Sequence, residues 1–432
     1  MILFLKKHKN LLIYLATVLF SVLFILLGNR MAGYHPDQTP SDTPTCTAKV
    51  TEIIDTKTES YTLSGDSGEI HTKIIAFRAR ITGGNLKGTT VTAFQQQDSM
   101  LVGSPDDVEP GARVIISYTD MGDQNLQWYF MEYHRSGYLI WLCGAFFLLL
   151  ILFGLKKGVN TIVSLVFTCL AIFIVFVPAI LGGRNIYLWS IVVCIFIITM
   201  TLLIVSGANR KAFCAAAGCI GGLAVTGLLT AVMDKTMHLT GLLDEQTMYL
   251  SMLDGTPIDL RAVIFGAILV GAMGATMDVS MSLASSLQEV SEHMGQNGSF
   301  SGLIKSGFNI GRDMMCTMAN TLILAYIGSS LSVVLLLVAN SESMLSLFNR
   351  EMIVVEVLQA IVGSLGILFT IPITSALAAA IYQSKPDRRS RKAIRREEKK
   401  AAMSPASAEL TEKYAGLKQV TDRLSQKNPE EK

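Results

Sequence analysis

Apolar runs of roughly 18–24 residues recur along this chain, the length a helix needs to cross about 30 Å of hydrocarbon. A soluble core gives shorter runs broken by polar faces. Of the 432 residues, 50% are hydrophobic and 16% charged. An average protein carries about a quarter charged residues, so much of this surface need not face water. Eight spans are expected, at Leu11–Gly28, Tyr138–Leu155, Val159–Leu181, Ile186–Ser206, Ala212–Met233, Ala262–Ser285, Met314–Val338 and Ile353–Tyr382. The expected fold is therefore a polytopic α-helical membrane protein with a small β-rich extracytoplasmic domain.

The net charge of +2 says little, but its distribution sets an orientation. Short cytoplasmic loops accumulate Lys and Arg. Lys6, Lys7 and Lys9, then Lys156 and Lys157, then Arg210 and Lys211, then Lys305 and Arg312, then the run from Arg388 to Arg396 all fall on one side if eight spans alternate. Both termini are thus expected in the cytoplasm, with the chain in the plasma membrane. The first span reads as an uncleaved anchor, because Gly28-Asn29-Arg30 is a poor cleavage site. Four parts follow: an anchor at 1–30, an extracytoplasmic domain at 31–136, a seven-helix membrane domain at 137–384 and a charged tail at 385–432.

Residues 31–136 begin with a Pro/Thr/Ser-rich linker, His35 to Pro44, and then alternate in the manner of strands. Strands are expected at Thr47–Asp55, Glu69–Ile81, Thr89–Gln96, Arg113–Tyr118 and Leu126–Tyr133, punctuated by Gly65-Asp66, Gly83-Gly84 and Pro110-Gly111. This pattern predicts a small barrel or sandwich, OB-like in size. Trp128, Tyr129 and Tyr133 read as core and rim packing or interfacial anchors. With more acids than bases around them, no nucleic-acid partner is expected. The segment holds one cysteine, Cys46, and so no internal disulfide; the other six fall in or beside apolar runs. From Ser301, apolar residues at helical spacing predict an amphipathic helix leading into the seventh span.

The sixth span carries the most informative pattern. On a helix, Ala267, Gly271, Gly274, Asp278, Ser282 and Ser285 share one face. Gly271 and Gly274 are expected to let another helix approach closely. Asp278 would then face a tight interface or a narrow wet cavity. A mid-membrane Asp costs about 2.5 to 3.5 kcal/mol, so something must offset it. Three readings stay open: a proton or cation site, a structural acid satisfied by hydroxyls or an Arg, or an acid near the interface. The seventh span opens with Arg312, Asp313, Thr317, Asn320 and Thr321, a polar set that could join Ser282 in a network around Asp278, with Arg312 as counter-ion.

Enzymatic readings lack parts. There is no HExxH, no GxSxG with a base, no Gly-x-Gly-Asp before Asp278 and no GxxxxGK[ST], so neither metal, cofactor nor enzyme activity is expected. Asp244, Glu245, Asp254 and Asp259 fit no standard cation loop and read as a solvated acidic loop.

The stretches Gly271-Ala-Met-Gly-Ala-Thr-Met-Asp-Val-Ser-Met-Ser-Leu-Ala-Ser-Ser and Ile310-Gly-Arg-Asp-Met-Met-Cys-Thr-Met-Ala-Asn-Thr-Leu-Ile-Leu-Ala-Tyr resemble the YibE/F-like family of bacterial membrane proteins. The resemblance covers about residues 155–382 and departs at Cys316, where similar sequences often have Gly. It implies a membrane fold and brings no activity with it. A looser likeness to proton-coupled export transporters is one of architecture, which does not fix function.

The leading expectation is a transporter or permease in which Asp278 titrates or binds a cation, taking a small molecule or ion as substrate. The rival is a non-transporting scaffold recruiting a cell-envelope protein through its β-domain. Either way the lipid bilayer is a partner.

Overall fold

The structure, a computed structural model, describes residues 9–33, 45–62, 69–84, 86–98, 105–120, 126–252, 258–294, 299–339 and 343–383. The Pro-rich linker, the Gly65-Asp66 turn, Asp254, the glycine turn at 295–298 and the tail lie outside them. The chain divides into two compact units, residues 35–158 and residues 1–34 with 159–432.

In the first unit, five strands close a barrel: β1 (Thr45–Thr62), β2 (Glu69–Ile81), β3 (Thr90–Asp98), β4 (Arg113–Asp120) and β5 (Leu126–Tyr133). The closed order is β1-β2-β3-β5-β4, with β3 and β5 parallel and the other pairs antiparallel. Period-two alternation sends Ala48, Val50, Phe77, Ala79, Ile81, Ala93, Val114, Ile116 and Trp128 into the core. Trp128 packs against Tyr118 with ring centroids 4.7 Å apart. The aromatic cluster is thus core and rim packing. Two bulges in β1, at Val50/Glu52 and Ile53/Asp55, shift its register as closure requires.

The segment at 105–109 is pinned to β3 through side chains. Buried Gln95 donates to the Asp106 carbonyl at 3.0 Å and accepts from the Val108 N–H at 2.9 Å. Tyr133 Oη donates to the carbonyls of Asp106 (3.0 Å) and Asp107 (2.8 Å). A hydrogen bond from Lys73 holds the Asp107 carboxyl below its ordinary range, whereas burial raises the Tyr133 hydroxyl.

The second unit is a helical bundle. It contains α1 (Lys9–Ala32), α4 (Ile186–Ser206), α5 (Arg210–Met237), α7 (Leu260–Met294), α8 (Phe300–Ser329), α9 (Leu331–Ala339) and α11 (Glu351–Gln383), with two short helices, α6 (Glu245–Ser251) and α10 (Met344–Phe348). Between β5 and α4 runs α2 (Ser136–Leu170), then a π-helical turn at Ala171–Phe176 and α3 (Val177–Leu181). Helix α2 is broken at Leu155, whose φ of 47° and ψ of −127° are not helical. Polar side chains start the helices as the sequence suggests. Asn185 accepts from the Leu188 N–H, Asn209 from Ala212 and Ser299 from Gly302.

Among the described residues, six helical runs are long and apolar enough to cross a membrane: Leu11–Ala32, Ser136–Leu181, Ile186–Ser206, Arg210–Met237, Leu260–Met294 and Glu351–Tyr382. These runs differ from the eight expected spans in two places. The second and third expected spans form one run, interrupted at Leu155. The seventh does not qualify, because Arg312, Asp313 and Asn320 fall within α8 and its apolar continuation lies in α9, beyond a break at Ser330. The amphipathic segment from Ser301 is continuous with α8.

Candidate functional site

The candidate site is built on α7, whose two faces differ sharply. One face buries Ala262, Phe265, Leu269, Ala272, Thr276, Ser280, Leu283 and Leu287 in the bundle core. A helix turns about 100° per residue, so Gly271, Gly274, Asp278 and Ser282 fall on the opposite face. Gly274, Asp278 and Ser282 are exposed there, and Gly271 is half-buried. Of the two settings expected for Asp278, a tight interface or a narrow wet cavity, the packing leaves Gly274, Asp278 and Ser282 open among the described residues. At Gly271 the missing side chain does make room, for the Tyr326 hydroxyl of α8. At Gly274 an added methyl would meet nothing within 4 Å.

Asp278 makes no hydrogen bond or ion pair among the described residues. The other predicted members are exposed on one face of α8. Arg312, Asp313, Thr317, Asn320 and Thr321 all belong to it, while Leu303, Gly307 and Gly311 turn into the core. The expected network does not close. Arg312, Asp313 and Asn320 make no described hydrogen bond or ion pair. Thr317 donates to the Met314 carbonyl at 3.0 Å and Thr321 to Thr317 at 2.8 Å, each within its own helix. Ser285, at the end of the α7 stripe, does find a charged partner: Lys211 Nζ donates to its hydroxyl at 2.6 Å.

A second polar feature, missed in the sequence, runs through the bundle interior. Gly218, Gly222, Thr226 and Thr230 repeat every four residues on α5, as do Gly366, Thr370 and Thr374 on α11. The two ladders interlock. A Cβ at Gly218 would strike Thr374, one at Gly222 would strike Thr370, and one at Gly366 would strike Thr226. Thr226 donates to the Gly222 carbonyl at 3.1 Å and Thr370 to Gly366 at 2.8 Å, so hydroxyls in an apolar setting are satisfied by their own helices. Cys219 Sγ lies 3.4 Å from Thr276 Oγ1, joining α7 to this seam. The buried Thr374 and Ser375 hydroxyls and that of Tyr326 find no described partner. Glycine and threonine at i, i+4 were the available signal.

The acidic loop serves as capping. Asp244 and Thr247 form a reciprocal cap on α6. Asp259 accepts from the Arg261 N–H at 3.1 Å. The Glu351 carboxylate accepts from the backbone N–H groups of Thr240 and Gly241 at 2.6 Å.

Comparison with known proteins agrees with the two stretches around Asp278 and Arg312. No curated protein and no solved structure matches the chain. The YibE/F-like protein model matches residues 142–384, more than half of the 432 residues, and includes the whole of α7, α8 and α11, so the chain belongs to the YibE/F-like family of multi-pass membrane proteins.

Proposed function

We propose that this protein is a membrane permease in which the open faces of α7 and α8 line a polar path and Asp278 binds a proton or cation. The observation that carries this reading is the placement of Asp278. It is a carboxylate without a partner among the described residues, the one charged side chain between Ala262 and Gln288 of α7, turned away from the packed core. Intramembrane acids face water-filled cavities or other protein rather than lipid, because the alternative costs several kcal/mol. The polar half of α8 makes the same demand, since Arg312, Asp313, Thr317, Asn320 and Thr321 are exposed as well.

This reading takes the run Ser136–Leu181 as two crossings. Its 46 residues, at about 1.5 Å each, exceed twice the hydrocarbon thickness. Taking α8 and α9 together as a further crossing gives eight. The positive-inside rule then puts both termini in the cytoplasm and the barrel outside. The barrel, OB-like in its strand order, would receive substrate or partner.

Proton and cation flux in proteoliposomes, under imposed pH gradients and voltages, tests the assignment. Asp278→Asn is expected to abolish flux while leaving the protein folded and inserted. Wild-type flux in that variant would overturn the role of Asp278. Absence of flux from folded wild type would favour the scaffold, and partners of the barrel would then be sought by pull-down.

A further inference from the structure

Among the described residues, the barrel carries cations that no acid pairs. Elsewhere on the same strands the outward bases are paired: Lys73 with Asp107, Arg78 with Glu52 and Lys57 with Asp55. One rung differs. Arg113 of β4 stands opposite Lys49 of β1, and Lys49 stands opposite Arg80 of β2. Like charges placed directly across a sheet are destabilising. All three are exposed, and none makes a hydrogen bond or ion pair among the described residues. Lys49 and Arg80 line an open cleft of about 620 Å³ together with Lys87, Thr51 and Thr82. Gly88 and Gly111 complete its wall, with φ of 96° and 91° and open space above them. The cleft is therefore wide, basic and backed by bare backbone, a surface suited to a phosphate group.

Its place in the chain indicates where that phosphate comes from. The His134 N–H donates to the Arg113 carbonyl at 2.9 Å, and α2 begins two residues later, at Ser136. That helix opens with Tyr138, Leu139, Ile140 and Trp141, all strongly exposed, the composition of a segment crossing from headgroups into hydrocarbon. Strands lie about 4.8 Å apart, so Lys49 and Arg80 follow Arg113 at about 5 and 10 Å along the rung. All three therefore lie within about a Debye length of the strand end that feeds α2, a position from which cations are drawn to an anionic lipid surface.

We propose that the rung Arg113–Lys49–Arg80, with Lys87, binds the headgroups of anionic phospholipids. The test reconstitutes the full chain into phosphatidylcholine liposomes containing a low fraction of phosphatidylglycerol with a photoreactive headgroup. Labelled peptides are mapped by mass spectrometry. Labelling is expected at β1, β2 and the start of β4, and it should fall about ten-fold in the Lys49→Gln/Arg80→Gln/Arg113→Gln variant. A photoreactive phosphatidylcholine should label these strands weakly in both proteins. Because the substituted side chains are exposed and their mutual repulsion is removed, a thermal melt that is unchanged or slightly raised is expected to confirm that the barrel stays folded. Equal labelling by the two lipids, or phosphatidylglycerol labelling unchanged in the triple variant, would overturn the proposal. So would loss of labelling when dilute inorganic phosphate or polyphosphate competes, since the occupant would then be a soluble anion.

Discussion

The seam between α5 and α11 and the outer face of α7 are made of the same kinds of residue and have opposite fates. Along the seam, Gly218 and Gly222 receive Thr374 and Thr370, and Gly366 receives Thr226, so small residues let two backbones close on each other. On α7, Gly274 lies over open space and Asp278 and Ser282 remain exposed. Small residues at helical spacing thus mark a surface that something can approach. Whether the chain itself supplies that neighbour depends on what stands opposite. The seam is answered by a matching ladder, and the α7 face is not.

The largest expected effect separates these two surfaces directly. Gly222→Leu forces a side chain into Thr370 and the Gly366 carbonyl, with no room to relax. Overpacking of this kind costs about 1–3 kcal/mol and more where backbone must move, so a large drop in melting temperature and loss of a monodisperse detergent peak are expected. Gly274→Leu should leave both unchanged, within about 0.5 kcal/mol. Equal destabilisation by the two would mean that the α7 face is covered within the folded chain.

A smaller effect probes how α7 holds to the seam. Thr276 donates to the carbonyls of Ala272 and Met273 at 3.0 Å and meets Cys219. Thr276→Val removes these contacts and leaves Cys219 facing a methyl, for an expected loss of about 1 kcal/mol. Ser282→Ala, on the open face, should be silent in the same thermal melt.

The smallest effect lies in the barrel. Pairing with Lys73 lowers the Asp107 carboxyl below its ordinary range, so the pair stabilises fully above that range and is lost as pH falls through the lowered value. Both partners are largely solvated, which holds the contribution to a few tenths of a kcal/mol. Asp107→Asn should flatten the acid limb of the barrel's unfolding curve by no more than that.

Much of the fold was legible. Strand alternation placed β2 and β5 at their observed bounds and the other three within a few residues, apart from the far end of β1, which runs on past its bulges to Thr62. Apolar runs found every long helix. Two bounds differed: the second and third spans run together across Leu155, and in the seventh local polarity in α8 and the break at Ser330 outweighed the overall run. The site was legible only as a stripe. Spacing put Gly271, Gly274, Asp278 and Ser282 on one face, but a single helix does not say which of its faces turns inward. Tertiary packing decided that, because the Gly/Thr ladder of α5 and α11 claims the other side of α7 through Cys219 and Thr276. The ladder's two halves lie more than a hundred residues apart and mean little until read together.

The central claim is that the α7 face meets water within the membrane. Gly274→Cys, in a background with the native cysteines replaced, places a thiol one turn from Asp278 without steric cost. Reaction in sealed vesicles with a charged, membrane-impermeant thiol reagent measures the accessibility of that face. Rapid labelling, slowed in the presence of a transported ion, is the predicted result. Labelling only by a neutral, lipid-soluble maleimide would place the face against lipid and contradict the account.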